Sequence, residues 1–187
     1  MTQYDVRTGD NLKLPLTFIM LFQLIMGSNA IADECGLTSE ITPDFSLLDQ
    51  NPTSPTFGDF IHRADLKGDV FVAYWAHASR SHCVSQVAAL DDIWNDNAST
   101  WSDVKIIIIN APGYETSLLD MAAGTNLTVL QDDNTTSATE QYGAARAYLY
   151  IIGKDGKPIN VHYALDIEED EEQRFIDEVN NARMGGK

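Results

Sequence analysis

The side chains best suited to covalent chemistry in this sequence are the thiols of Cys35 and Cys83. Cys83 lies in the most informative stretch, Val70–Trp94 (VFVAYWAHASRSHCVSQVAALDDIW). A thiol pair separated by two residues does redox work when its first member opens a helix. There the unpaired backbone N–H groups favour the thiolate. Counting back from Cys83, that place falls on position 80, and position 80 is arginine. Arg80 cannot act as a redox nucleophile. Cys83 occupies the second, resolving-type position. Three roles stay open for it: an inert or disulfide-bonded structural cysteine, a slow reactive thiol, or half of a site whose partner at position 80 is misread.

Other chemistry is sparse. His62, His77, His82 and His162 show no metal-ligand spacing with cysteines or carboxylates. No metal or cofactor is therefore expected. No Gly-rich phosphate loop and no Ser-His-Asp arrangement stands out. The formal net charge is −16, a surface that repels nucleic acid and anionic membranes. The acidic run Glu168–Glu172 opens a helical pattern and complements its dipole as a solvated face. Asn97, Asn126 and Asn134 each begin an Asn-x-Ser/Thr sequon, the acceptor for N-glycans in secreted chains.

The elements that must position Cys83 follow from pattern. Val70–Ala76 is an apolar run that reads as a buried strand. Ser79–His82 is a polar turn. Cys83, Val87, Leu90 and Trp94 then recur at helical spacing. Val104–Asn110 (VKIIIIN) is rich in β-branched residues and suits a strand covered on both faces. Asp44–Leu48 and Leu127–Leu130 read as short strands, and Ser117–Ala123 and Thr136–Tyr142 as short helices. Ala147–Ile152 and Pro158–Tyr163 flank an Asp-Gly turn, a strong hairpin pattern. A last helix runs from about Asp166 to Ala182. The order βαβ, crossover, hairpin, helix predicts an α/β fold with a central mixed β-sheet flanked by helices, its first half a right-handed parallel unit. Expected core positions are Val72, Tyr74, Leu90, Ile107, Ile109, Leu149, Phe175 and Val179.

The N-terminus reads as an address. Leu14–Met26 (LPLTFIMLFQLIM) is too short to span a bilayer, which takes about 20 apolar residues. Small residues follow, and a signal peptide of residues 1–30 is expected. Residues 31–43 form an N-terminal arm and 44–187 one domain, secreted, with no stable membrane span once the leader is removed. A secretory route permits disulfides. A Cys35–Cys83 bond would tie the arm to the turn. The competing picture buries Cys83 beside Val87 and Leu90 and leaves Cys35 exposed. The shared apolar stripe favours the second picture.

Strand, turn, cysteine and helix in this order resemble the thioredoxin-like proteins. Thr42–Thr53 (TPDFSLLDQNPT), His77–Cys83 (HASRSHC), Ile106–Gly113 (IIIINAPG) and Leu127–Ala138 (LTVLQDDNTTSA) are similar to the N-terminal domain of selenoprotein P. Cys35 matches that family's early cysteine. The resemblance covers roughly Cys35 to Ala182 and implies a thioredoxin-like fold, secretion, glycosylation, and a link to selenium handling and thiol or selenol redox. It implies a selenocysteine where Arg80 stands and a cysteine where Cys83 stands. The family's selenocysteine-rich tail is not present in this sequence, so selenium transport does not carry over. Thioredoxins commonly place a cis-proline before the strand that begins near Ala147. Arg146-Ala147-Tyr148 has none, which weakens a general disulfide-oxidoreductase reading. Two functions remain. One is a selenoprotein P-type redox protein with a thiol reductant as partner. The other is a non-catalytic extracellular binding module, with an extracellular protein as partner, on the same fold.

Overall fold

The structure is a computed structural model and describes residues 41–135, 137–162 and 169–185. The expected leader, Cys35 and the start of the last helix lie outside these residues.

Eleven principal elements run in the order β1 (Ser46–Asp49), β2 (Phe60–His62), β3 (Val70–Ala76), α1 (Ser81–Asn97), β4 (Val104–Asn110), α2 (Leu118–Ala122), β5 (Thr128–Gln131), α3 (Ala138–Gln141), β6 (Leu149–Ile152), β7 (Pro158–His162) and α4 (Glu169–Arg183). The seven strands make one mixed sheet in the order β2-β1-β5-β4-β3-β6-β7. β3 pairs parallel with β4 from Val70↔Val104 to Ala76↔Asn110, and β4 pairs parallel with β5. β6 runs antiparallel to β3, with Tyr74 opposite Leu149.

The apolar runs sit where their composition demands. β3 is central, and every residue in it is buried. Its side chains alternate between two cores. Val70, Val72, Tyr74 and Ala76 pack with Cys83, Val87 and Leu90 of α1 and with Phe175 and Val179 of α4. Phe71, Ala73 and Trp75 face the other side with Ile107, Ile109, Tyr142 and Tyr150. All eight expected core residues are buried.

The sequence reading differs from the structure at the sheet's margins. β2 is a three-residue strand with exposed ends, and it exists because β1 offers an antiparallel edge, not because of its own pattern. Ala147 and Tyr148, expected in a strand, precede β6 instead. Ala147 has φ 65°, the left-handed region, which no strand residue adopts. Trp94 is only partly buried, at the edge of the helix stripe.

Candidate functional site

The candidate site forms where β3 ends and α1 begins. Arg80 is the N-cap of α1, extended at φ −105° and ψ 122°, with no side-chain cap bond. Its carbonyl accepts the Val84 N–H at 3.1 Å, the first bond of the helix. Its N–H donates to the His77 carbonyl at 2.9 Å, closing the turn. Cys83 is therefore the third helical residue. Arg80 is exposed and Cys83 is fully buried as a free thiol. The helix stripe decides this: Cys83 shares its face with Val87 and Leu90, which dock on β3.

A hydrogen-bond chain across three strand ends fixes the turn. Asn110, wholly buried at the end of β4, accepts the Ala78 N–H on Oδ1 at 2.9 Å. Its Nδ2 donates to Gln131 Oε1 at 2.7 Å, and Gln131 Nε2 donates to the Asp132 carbonyl at 2.6 Å. The Asp132 carboxylate in turn accepts the backbone N–H groups of Ala138 and Thr139 and seats α3. The polar end of an otherwise apolar strand, IIIIN, was the available sequence clue to Asn110.

Around Cys83 the chemistry is muted. The His77 N–H donates to the thiol sulfur at 3.5 Å. The Tyr74 hydroxyl lies close to the thiol and has no hydrogen-bond partner. Burial first, then the Cys83 thiol, holds that phenol far above its ordinary range, against a smaller opposing pull from Arg146. The His77 ring stacks on Tyr114, centroids 4.3 Å apart and planes at 19°. Burial, then the positive charges of Arg146 and Arg80, push the imidazole toward its neutral form.

Facing this turn is the segment entering β6. The Ala147 N–H donates to the Trp75 carbonyl at 2.8 Å, and the Trp75 N–H donates to the Tyr148 carbonyl at 2.8 Å. Both bonds lock Arg146 and Ala147 beside the end of β3. Sequence reasoning noted this segment for its missing proline and did not see that it delivers Arg146.

The other candidates lie apart. His62 is exposed at the end of β2. His162 on β7 meets Glu178 of α4 at 2.6 Å, where burial opposes but the histidine bond prevails and holds the carboxyl below its usual range. His82 is exposed beside Arg80. Among the described residues no three potential ligands gather as a metal site. Of the acidic run, Glu171 pairs with Arg174 on the α4 surface. Asn126 and Asn134 are exposed, whereas the Asn97 Nδ2 donates to the Ile93 carbonyl at 2.9 Å. Thr136, in the third sequon, lies outside the described residues. The Cys35 end of a possible disulfide lies outside them too.

Known structures share this architecture. A Bacteroides thetaiotaomicron protein described as a protein disulfide isomerase superposes with TM-score 0.65 at 18% identity, covering 78% of this chain and 89% of its own. A Chlorobium tepidum protein described as the thiol:disulfide interchange protein DsbE gives TM-score 0.65 at 14% identity, covering 79% and 99%. BsSco, of the Sco family of cytochrome c oxidase assembly proteins, gives 0.60 at 18% identity, covering 79% and 96%. The chain thus has a thioredoxin-like α/β fold. No family model matches the sequence, and no curated protein matches it either.

Proposed function

We propose that this protein is a secreted, glycosylated binding module of the selenoprotein P N-terminal type, in which a thioredoxin-like scaffold has exchanged redox chemistry for recognition. The observation that carries this reading is the pairing of an exposed arginine at the helix N-cap with a wholly inaccessible thiol at Cys83. The place that solvent and substrate reach holds a cation with no redox chemistry. The place that holds sulfur is sealed by the core. The redox names of the structural neighbours fit this ancestry without supplying a nucleophile. Residues 1–30 are the proposed leader, and Asn126 and Asn134 are the better glycan acceptors because their side chains are exposed.

A glutathione- or thioredoxin-coupled peroxidase assay tests the reading. We expect turnover no greater than that of a free thiol at equal concentration. Turnover above that background by the Arg80 protein would overturn it.

One observation favours a second reading, a selenol or thiol redox enzyme. The turn keeps the geometry of a working pair, with N-cap, third helical residue and an N–H aimed at the sulfur. This reading requires selenocysteine at position 80 in the natural product. The codon at position 80, and the mass of the natural peptide that spans it, decide between the two.

A further inference from the structure

Where β4 and β5 begin, away from the start of α1, a cavity of about 320 Å³ opens to solvent. Its floor is apolar: Leu66, Ile106, Ile107 and Leu127 line it, and all four are buried. Trp94 of α1 lines it as well. Of the three tryptophans, Trp75 and Trp101 are sealed in the core, whereas Trp94 is only partly buried. An indole left part-exposed beside an apolar hollow offers a flat stacking face.

Asn126, Leu127 and Thr128, a complete Asn-x-Thr sequon, all line this same cavity. Asn126 is exposed, and among the described residues its side-chain amide makes no hydrogen bond. Asn97, by contrast, ties its amide to the Ile93 carbonyl. The backbone beneath Asn126 is pinned from both sides. Its N–H donates to Asp91 Oδ1 at 3.0 Å, and the Leu127 N–H donates to Thr125 Oγ1 at 3.0 Å. The Thr125 and Leu127 carbonyls accept Asn51 Nδ2 at 2.9 and 2.7 Å. Asp91 and Trp94 stand three apart on α1, so neighbouring positions of one helix hold the acceptor's backbone and supply the indole. A group bonded to the Asn126 amide therefore starts from a fixed point in the cavity wall.

We propose that the first N-acetylglucosamine of a glycan on Asn126 seats in this cavity against Trp94, so that the chain binds its own sugar. A pyranose has an apolar C–H face that packs on an aromatic ring. Its hydroxyl and acetamido groups keep to the polar side of the cavity, where Thr56, Thr128 and Lys105 stand. Ligand pockets run from about 300 to about 1,000 Å³, and this one, at the small end, suits a single ring better than a branched oligosaccharide. The bond is the ordinary one of the sequon. The amide nitrogen loses a proton and displaces a lipid pyrophosphate from C1 of the sugar donor, with no oxidation or reduction. A free apolar ligand would suit the same walls, but the sugar is delivered there by an acceptor in the wall itself. The proposal deepens the glycoprotein part of the proposed function and rests on it.

The test uses the full chain, secreted from a cell line that makes oligomannose glycans. Peptide mass before and after deglycosylation reports the occupancy of Asn126. With the glycan trimmed by endoglycosidase to its first sugar, NMR reads the acetyl methyl group. The expected result is a methyl resonance moved upfield by the indole ring current, with Overhauser contacts to Trp94. Acrylamide quenches tryptophan fluorescence less than in the Asn126→Gln chain, and that unglycosylated chain alone binds an apolar anilinonaphthalene dye in the cavity. Release of the untrimmed glycan by peptide N-glycosidase is about tenfold faster in native Trp94→Ala, the change expected when one aromatic stacking contact is lost. An occupied Asn126 whose methyl shift matches that of the urea-unfolded chain, with quenching equal to that of Asn126→Gln, overturns the inference and leaves the parent reading standing. Dye binding that is equal with and without the glycan does the same, and gives the cavity to a free ligand. A secreted chain with Asn126 bare overturns the inference by removing the acceptor, and takes the Asn126 glycan out of the parent reading too.

Discussion

Arg80→Cys should rebuild a redox pair with Cys83. The N-cap side chain is the one that, in helices generally, reaches the N–H of the third helical residue. Here Arg80 is the N-cap and Cys83 is that third residue, so sulfurs at 80 and 83 meet within disulfide range with the backbone unmoved. The new thiol would sit exposed at the uncapped helix start. The terminus is worth about 0.3–1 kcal/mol to a surface anion, and up to about 2 in favourable geometry. At about 1.36 kcal/mol per pKa unit, that lowers an ordinary thiol from about 8.5 to between about 7 and 8.3. Cys83 then acts as the buried resolving thiol, polarised by the His77 N–H. In a Cys35→Ser background only one pairing is possible. Mild oxidation should remove two hydrogens from the peptide spanning 80–83 and block alkylation of both thiols. Ultraviolet thiolate absorbance against pH gives the pKa. Two freely alkylated thiols after oxidation, or a thiol at 80 that titrates at or above 8.5, would refute the geometric argument.

Asn110→Ala should cost about 2–4 kcal/mol in urea unfolding, because it strands the buried Ala78 N–H and the Gln131 side-chain Oε1 together; hydrogen exchange at the Ala78 amide should accelerate as well. Ala147→Pro, which installs the proline that many thioredoxins carry, should destabilise by about 3 kcal/mol or more. It demands a negative φ where the native value is 65° and removes the N–H bonded to Trp75. Tyr74→Phe should leave stability unchanged or raise it by about 1 kcal/mol in chemical denaturation, since the deleted hydroxyl has no partner. Asp103 is held down to about 2 by its bonds to Lys154 and then, against a desolvation pull, to Arg183. A depressed folded pKa contributes stability above the unfolded value near 3.8 and loses it as pH falls through about 2. Asp103→Asn should therefore flatten the acid limb of the stability–pH curve between those values while lowering stability at neutral pH.

Much of the fold was written in the chain as hydrophobic period. The runs VFVAYWA and VKIIIIN are apolar at nearly every position, and only a strand covered on both faces buries them. The stripe through Cys83, Val87 and Leu90 fixed which side of α1 faces the sheet, and with it the burial of the thiol. The absence of a nucleophile at position 80 could be read directly, because it is a matter of residue identity and a three-residue offset. Tertiary structure alone decided the rest. β2 pairs because a neighbouring edge exists, and three residues carry no period of their own. Ala147 takes a left-handed conformation because both sides of it are bonded to the end of β3, although nothing in an alanine announces that. The placement of Arg146 and Ala147 beside the end of β3 depends on β6 running antiparallel to that strand. Local sequence records what each residue prefers, whereas which distant segments come to face one another is set by which strands become neighbours.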